Sequence, residues 1–249
     1  MPRIRLDQAL VERGLCPSRE KAKRAILAGQ VRVGGQMARK PSDAVRPQDI
    51  LALAETARYV SRGGAKLEHG LHYFALAVEG MTAIDLGAST GGFTDCLLQQ
   101  GAARVYAVDV GSGQLAWKLR QDPRVIVMER TNARFLTRAD FPAAFAGAHL
   151  IVADCSFISL QKILPPAVAL LAESGRMLAL VKPQFEAGKM EAARGKGVIV
   201  DPAVHARVLR ELQTFITEQT ALDWKGETAS PLLGPAGNKE FLVLLEKKA

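Results

Sequence analysis

Residues 82–93 read Thr82-Ala83-Ile84-Asp85-Leu86-Gly87-Ala88-Ser89-Thr90-Gly91-Gly92-Phe93, and this stretch decides the fold class. Its first half is a short apolar run of the kind that forms a buried parallel strand. Its second half is a Gly-rich turn opening into an expected helix, Phe93–Gln100. Glycines at such a turn let the backbone bend sharply and approach a ligand closely. Strand, turn and helix in this order predict a nucleotide-like cofactor over the turn. A dinucleotide is as admissible as any other nucleotide at this point.

Downstream, the same alternation continues. Strands are expected at Arg104–Asp109, Val125–Glu129, Leu150–Asp154 and Arg176–Val181, with helices at Ser112–Gln121, Leu160–Ala172 and Pro202–Thr220 between and after them. Asp201 caps the last helix and Pro202 suits its first position. Trp224–Ala229 and Phe241–Glu246 read as two closing strands. The pattern is that of an α/β domain with a parallel sheet covered on both faces. Asp109, ending the second strand, can accept hydrogen bonds from the ribose hydroxyls of either cofactor type, so it does not choose between them.

Upstream, the chain changes character. Over residues 1–60, twelve Lys and Arg face six Asp and Glu, so six of the net charge of +8 lies there. A basic unit facing a polyanion is the natural reading, although charge alone also fits a solvated surface. Leu6, Ala9, Leu10 and Val11 have helical spacing, with Gly14 as a stop. Ser18 can cap a second helix that turns Ala22, Ala25 and Ile26 inward and ends at Gly29. Gln30–Val33 then alternates like a strand, Gly34-Gly35 signals a hairpin, and Val45 to Leu53 supplies further extended segments. Residues 1–53 form one expected module and 54–61 a linker, with 62–249 as the second domain. The glycines of Ser61-Arg62-Gly63-Gly64-Ala65-Lys66 read as a flexible hinge.

Composition narrows the class. Apolar residues make up 48% of the 249 and charged residues 23%, which is globular. Cys16, Cys96 and Cys155 are too far apart for a C-x-x-C metal or redox site. No metal is expected. The polar amino terminus and the lack of a 20-residue apolar run predict a cytoplasmic protein with no membrane association.

The elements from Arg5-Leu6-Asp7 through Ser18-Arg19 to Gly29-Gln30-Val31-Arg32-Val33 and Gly35 resemble the S4 RNA-binding domain over about fifty residues. That resemblance implies RNA contacts from Arg5, Arg19, Lys21, Lys23, Arg24 and Arg32, made to phosphates rather than bases. In the second domain, Asp85, the G-x-S-x-G-G turn and the late strand pair look like a class I (Rossmann-like) methyltransferase using S-adenosylmethionine. On that resemblance Asp85, Gly87, Ser89, Gly91, Gly92, Phe93, Asp109 and Asp154 surround the cofactor. Asn132 then addresses the adenine edge or caps a helix.

Four polar residues remain: Lys66 before the first strand, Asp154 and Lys182 at strand ends, and Glu240 entering the last strand. Carboxyl ends of parallel strands frame the ligand crevice. Together the four match the K-D-K-E tetrad of FtsJ/RrmJ-like ribose 2′-O-methyltransferases. With Ser61 to Leu67, Val181-Lys182-Pro183-Gln184-Phe185-Glu186 and Ser230 to Glu240, nearly the whole chain resembles the TlyA family. Its members are known as hemolysins and as 16S/23S ribosomal RNA cytidine 2′-O-methyltransferases.

The resemblance implies Lys66, Asp154, Lys182 and Glu240 as catalytic residues, Lys182 as general base, and ribosomal RNA or ribosomal subunits as partner. The segment Ala187–Gly197 reads as a mobile loop touching RNA, with Arg62, Lys189, Arg194 and Lys196 as further contacts. Two rivals stand beside this reading. One is a base methyltransferase using Cys155 as nucleophile. The other is a membrane-active hemolysin, for which the sequence offers no spanning segment.

Overall fold

Strands alternating with helices build the larger part of the molecule. The computed structural model describes residues 3–53, 58–188, 191, 195 and 197–248, and it divides into two units, Met1–Arg58 and Tyr59–Ala249.

In the first unit, β1 (Ile4–Arg5) leads into α1 (Leu6–Glu12) and α2 (Arg19–Leu27). The Ser18 side chain accepts the Lys21 N–H and so caps α2. Leu6, Leu10, Ala22 and Ile26 close a small core with Val31 and Val45. β2 (Val31–Val33) pairs antiparallel with β3 (Gln36–Met37) and β5 (Leu51–Leu53), while β4 (Ala44–Val45) pairs with β1.

The second unit begins with α3 (Gly63–Tyr73), followed by β6 (Thr82–Leu86), α4 (Gly92–Gln99), β7 (Arg104–Val108), α5 (Trp117–Arg120) and β8 (Val125–Met128). The chain then returns to the far side of β6 through β9 (Ala148–Ala153), α6 (Leu164–Leu170), β10 (Leu171–Val181), α7 (Pro183–Glu186) and α8 (Pro202–Gln219). It closes with β11 (Leu222–Ala229) and β12 (Phe241–Lys247). The sheet order is β11-β12-β10-β9-β6-β7-β8, and every strand runs in one direction except β12, which is antiparallel to both of its neighbours. The switch point therefore lies between β6 and β9, where a crevice opens at the strands' carboxyl ends.

Successive side chains of a strand face opposite sides, and both sides are apolar here. Ile84, Tyr106, Ile151 and Val181 pack with α6 and α8. Ala83, Val105, Leu150, Leu178 and Leu242 pack with Leu67 and Leu71 of α3 and Leu97 of α4. Fully burying a leucine such as Leu67 stabilises by about 1.5–3 kcal/mol.

Three expectations are corrected. The hinge glycines are helical: a Cβ on Gly64 would lie 2.2 Å from the Tyr59 ring, and one on Gly92 would meet Ser61 Oγ at 2.2 Å and Gly64 N at 3.0 Å. Gly64 thus makes room for the Tyr59 ring, and Gly92 at the start of α4 permits the close approach of α3. The helix expected over Ser112–Gln121 shrinks to α5, because the Gly111 and Gly113 amides are taken by the Asp109 and Glu129 carboxylates and Gly113 is left-handed at φ +74°. The helix over Leu160–Ala172 divides into a 3₁₀ turn, Leu160–Lys162, and α6, which yields to β10 at Leu171. Among the described residues, no helix is long and apolar enough to cross a membrane.

Candidate active site

The turn after β6 is held by carboxylates. Gly87 (φ +86°), Ser89 (φ +49°) and Gly91 (φ +95°) are all left-handed, and a Cβ on Gly87 would stand 3.0 Å from the Asp154 carbonyl oxygen. Ser89 tolerates its conformation because its N–H is received by Asp109 Oδ2 at 2.8 Å, while Asp109 Oδ1 takes the Gly111 N–H at 2.7 Å. Asp85 sits beneath the turn, fully buried. Its Oδ2 accepts both the N–H (2.9 Å) and the hydroxyl (2.6 Å) of Thr94 in the first turn of α4.

Burial drives the Asp85 carboxyl up to about 7, the nearby Asp154 and Asp109 charges add to the rise, and the Thr94 bonds oppose it. An unfolded aspartate titrates near ~4. Between about pH 4 and 7 the folded chain keeps a proton that the unfolded chain has lost, so stability falls as pH rises through that window and levels off above it. Asp85→Asn removes this dependence. Its advantage in Tm over the parent protein is expected to widen by about 5–10 °C between pH 5 and pH 8. Thermal melts at the two pH values check this, and an unchanged gap would show that the carboxyl does not titrate there.

Two cavities flank the turn. The larger, about 1040 Å³, is lined by Asp109, Val110, Asn132, Cys155, Gln184 and Gly197, among others. The smaller, about 250 Å³, is lined by Lys66, Asp154, Lys182 and Glu240, with Ser61 and Arg62. Gly87, Ser89, Asp154 and Ser156 line both. Gly92 and Phe93 face the smaller one. Asp85 and Gly91 line neither; a Cβ on Gly91 would lie 2.2 Å from Leu119 Cδ1, so that glycine admits α5 to the turn. Asn132 lines the larger cavity and also caps the 3₁₀ turn Ala133–Phe135 through the Arg134 N–H.

Strand parity explains why the four polar residues meet. Leu150 and Val152, Leu178 and Leu180, and Leu242 and Leu244 all face the α3–α4 side. Continuing by two residues from each pair reaches Asp154, Lys182 and Glu240 on the face covered by α3, which carries Lys66. Lys66 Nζ lies 2.5 Å from Glu240 Oε2, with both side chains almost fully buried. Lys182 Nζ lies 2.6 Å from Asp154 Oδ1 and donates to Ser156 Oγ at 2.8 Å. Sequence reasoning missed Ser156, for which no spacing signal exists. It also missed Phe157, which is 90% exposed and left-handed at φ +64°, packed on Phe185 at the rim of the larger cavity.

Cys155 is the reverse case. Its thiol points to the Leu86 carbonyl oxygen at 3.4 Å, and burial, against the pull of Lys182, drives it up to about 12. At neutral pH it carries its proton and is a poor nucleophile.

In the first unit, Arg5 and Arg19 both bond the buried Asp7 at 3.0 Å. Burial pushes that carboxyl up, but the bonds from the two arginines outweigh it and hold Asp7 below the usual range. Lys21 and Lys23 are exposed on α2. Arg24 is paired with Glu20, and Arg32 bonds the Gly35 carbonyl. Arg62 is exposed at the smaller cavity. Lys189, Arg194 and Lys196 lie outside the described residues.

Comparison with known proteins agrees with this layout. Residues 59–247 match the FtsJ-like methyltransferase family and residues 4–51 the S4 domain. The chain is 48% identical over 248 residues, 98% of its length and 90% of the relative's, to a Mycobacterium tuberculosis protein named 16S/23S rRNA (cytidine-2'-O)-methyltransferase TlyA. It is 38% identical over 240 residues, 96% and 98% of the two chains, to a Brachyspira hyodysenteriae protein named Hemolysin A. A solved structure of a hemolysin-named protein from Streptococcus thermophilus superposes with a TM-score of 0.75 at 45% identity, covering all of this chain and 90% of that one. The chain therefore belongs to the TlyA family, in which an S4 domain precedes an FtsJ-like methyltransferase domain.

Proposed function

We propose that this enzyme transfers a methyl group from S-adenosylmethionine to the ribose 2′-hydroxyl of a cytidine in ribosomal RNA, with Lys182 as general base. The observation that carries the reading is the meeting of Lys66, Asp154, Lys182 and Glu240 in one small cavity that shares the wall Gly87–Ser89–Asp154 with a larger cleft. The 48% identity to the TlyA rRNA cytidine 2′-O-methyltransferase supports the substrate.

The larger cleft fits the cofactor chemically. Gly87 leaves room where a Cβ would close on Asp154, and Asp109 keeps lone pairs for hydroxyls beyond the two backbone amides it holds. Gly87, Ser89, Asp109 and Asn132 would hold the cofactor, which supplies a methyl group already activated on a sulfonium. The protein's remaining task is alignment of the acceptor hydroxyl and removal of its proton. Lys182 Nζ stands 2.6 Å from Asp154 Oδ1 and donates to Ser156 Oγ, so these two hold it at the wall of the cavity, where it is placed to take that proton. Asp154 fixes Lys182, and Glu240 fixes Lys66 beside it.

Binding of RNA falls to the basic unit of residues 1–53, through Arg5, Arg19, Lys21, Lys23, Arg24 and Arg32, joined by residues 54–61 to the catalytic domain 62–249. Asp7 orients two of these arginines, so their guanidinium groups present a fixed pair to phosphate. Lys189, Arg194 and Lys196 complete the proposed RNA contacts, and the setting is the cytoplasm. Labelled methyl transfer to separated and assembled ribosomal subunits, followed by mapping of alkali-resistant nucleotides, tests the reading: a 2′-O-methyl blocks alkaline cleavage, and alkali-labile product would refute it.

The rival base chemistry through Cys155 makes the opposite prediction for one variant. Cys155→Ser is expected to keep methyl transfer within about threefold, since a protonated thiol bonded to a carbonyl contributes nothing as a nucleophile. A covalent mechanism would lose turnover altogether in the same assay.

A further inference from the structure

Asn238 is buried, with 2% of its surface exposed, and both ends of its carboxamide are spent on one backbone segment. Its Oδ1 accepts the Ile199 N–H at 2.9 Å, and its Nδ2 donates to the Gly197 carbonyl oxygen at 2.8 Å. His205 holds the same segment from α8, its Nε2 meeting the Ile199 carbonyl oxygen at 2.9 Å while its ring packs edge-on against Phe241. Gly197 is part of the wall of the larger cleft.

The backbone of Asn238 has a second duty. Its carbonyl accepts the Gly234 N–H at 2.9 Å, closing a turn over residues 234–238. That turn wraps the Glu240 carboxylate so tightly that a Cβ on Gly234 would stand 2.5 Å from Glu240 Oε1. Glu240 Oε2 in turn holds Lys66. One residue thus joins the wall of the cofactor cleft to the carboxylate that orients the Lys66 end of the acceptor cavity.

We propose that Asn238 is a positioning residue that couples the two cavities: it holds Gly197 against the cofactor cleft and sets the turn that aims Glu240 at Lys66. The proposal rests on the functional reading above. Without the carboxamide, the Ile199 amide and the Gly197 carbonyl lose their buried partners, and the cleft wall and the turn are no longer tied to each other. The ordering of the cleft wall and the geometry of the acceptor cavity then vary independently.

The test uses the full-length chain, S-adenosylmethionine binding at equilibrium, and single-turnover methyl transfer to ribosomal RNA with cofactor and RNA saturating. Asn238→Ala is expected to weaken S-adenosylmethionine at least fivefold and to slow the saturated step at least tenfold. Should that variant not fold, Asn238→Asp replaces it, keeping the acceptor for Ile199 and losing the donor to Gly197, with the same two losses expected. Gly234→Ala crowds Glu240 directly and reaches Gly197 only through Asn238, so it is expected to slow the saturated step by a larger factor than it weakens the cofactor.

A purely structural asparagine would lower Tm yet leave the saturated rate of the folded protein unchanged. Asn238→Ala with a rate within twofold of the parent, measured well below its Tm, overturns the inference. A parent protein that binds S-adenosylmethionine but methylates no ribosomal RNA overturns the functional reading and this inference together.

Discussion

Lys182→Ala is expected to slow methyl transfer by about 10²–10⁴-fold, the range a positioned general base supplies, while S-adenosylmethionine binds as before. The separation follows from where the side chain stands. Lys182 lines the smaller cavity but not the larger cleft, so its loss leaves the cofactor's surroundings in place. Its partner Asp154 is about a quarter exposed, so water can solvate the carboxylate that the substitution strands, and the variant is expected to fold. Lys182→Arg sharpens the point. Arginine keeps the positive charge beside Asp154 but cannot give up its proton near neutral pH, so it too is expected to be inactive. Single-turnover transfer and equilibrium cofactor binding, measured on both variants, check this. Near-normal transfer by either one would remove Lys182 from the role of base.

Much of this site can be read from the chain, because strand periodicity is written in it. Leu150, Val152 and Asp154 lie two apart, as do Leu178, Leu180 and Lys182, and Glu240, Leu242 and Leu244. Once each run is known to be a strand, the three polar residues must share a face. Lys66 was legible only by resemblance, since the glycines before it carry the ordinary signature of a hinge. Their helical state depends on Tyr59, Ser61 and α4 standing against them, and such contacts have no local signal. The shortening of the helix expected over Ser112–Gln121 to α5 has the same origin. Propensity favours the full helix there, but the Asp109 and Glu129 carboxylates, brought close by the sheet, claim the Gly111 and Gly113 amides first. Ser156 and Asn238 were invisible as contributors, because their partners lie 26 to 41 residues away.

The Lys66–Glu240 pair gives the largest expected effect on stability and separates a structural ion pair from a catalytic one. Glu240 is 1% exposed and Lys66 side-chain exposure is 8%, so water has little access to either charge. Lys66→Met keeps the aliphatic stem and removes the charge, leaving a buried carboxylate alone. Breaking a buried pair in this way costs about 3–5 kcal/mol, which for a domain of this size is a fall in Tm on the order of 10 °C. Replacing both partners by apolar or neutral groups avoids the stranded charge and is often neutral. The double variant Lys66→Met/Glu240→Gln is therefore expected to recover most of the lost Tm. Its methyl transfer is expected to stay low, because the cation beside Lys182 is still missing. Melting curves and saturated single-turnover rates on the single and double variants decide the matter. Recovery of both stability and rate would make the pair a scaffold, and a loss below about 1 kcal/mol in Lys66→Met would mean that water reaches Glu240 after all, as at an exposed pair.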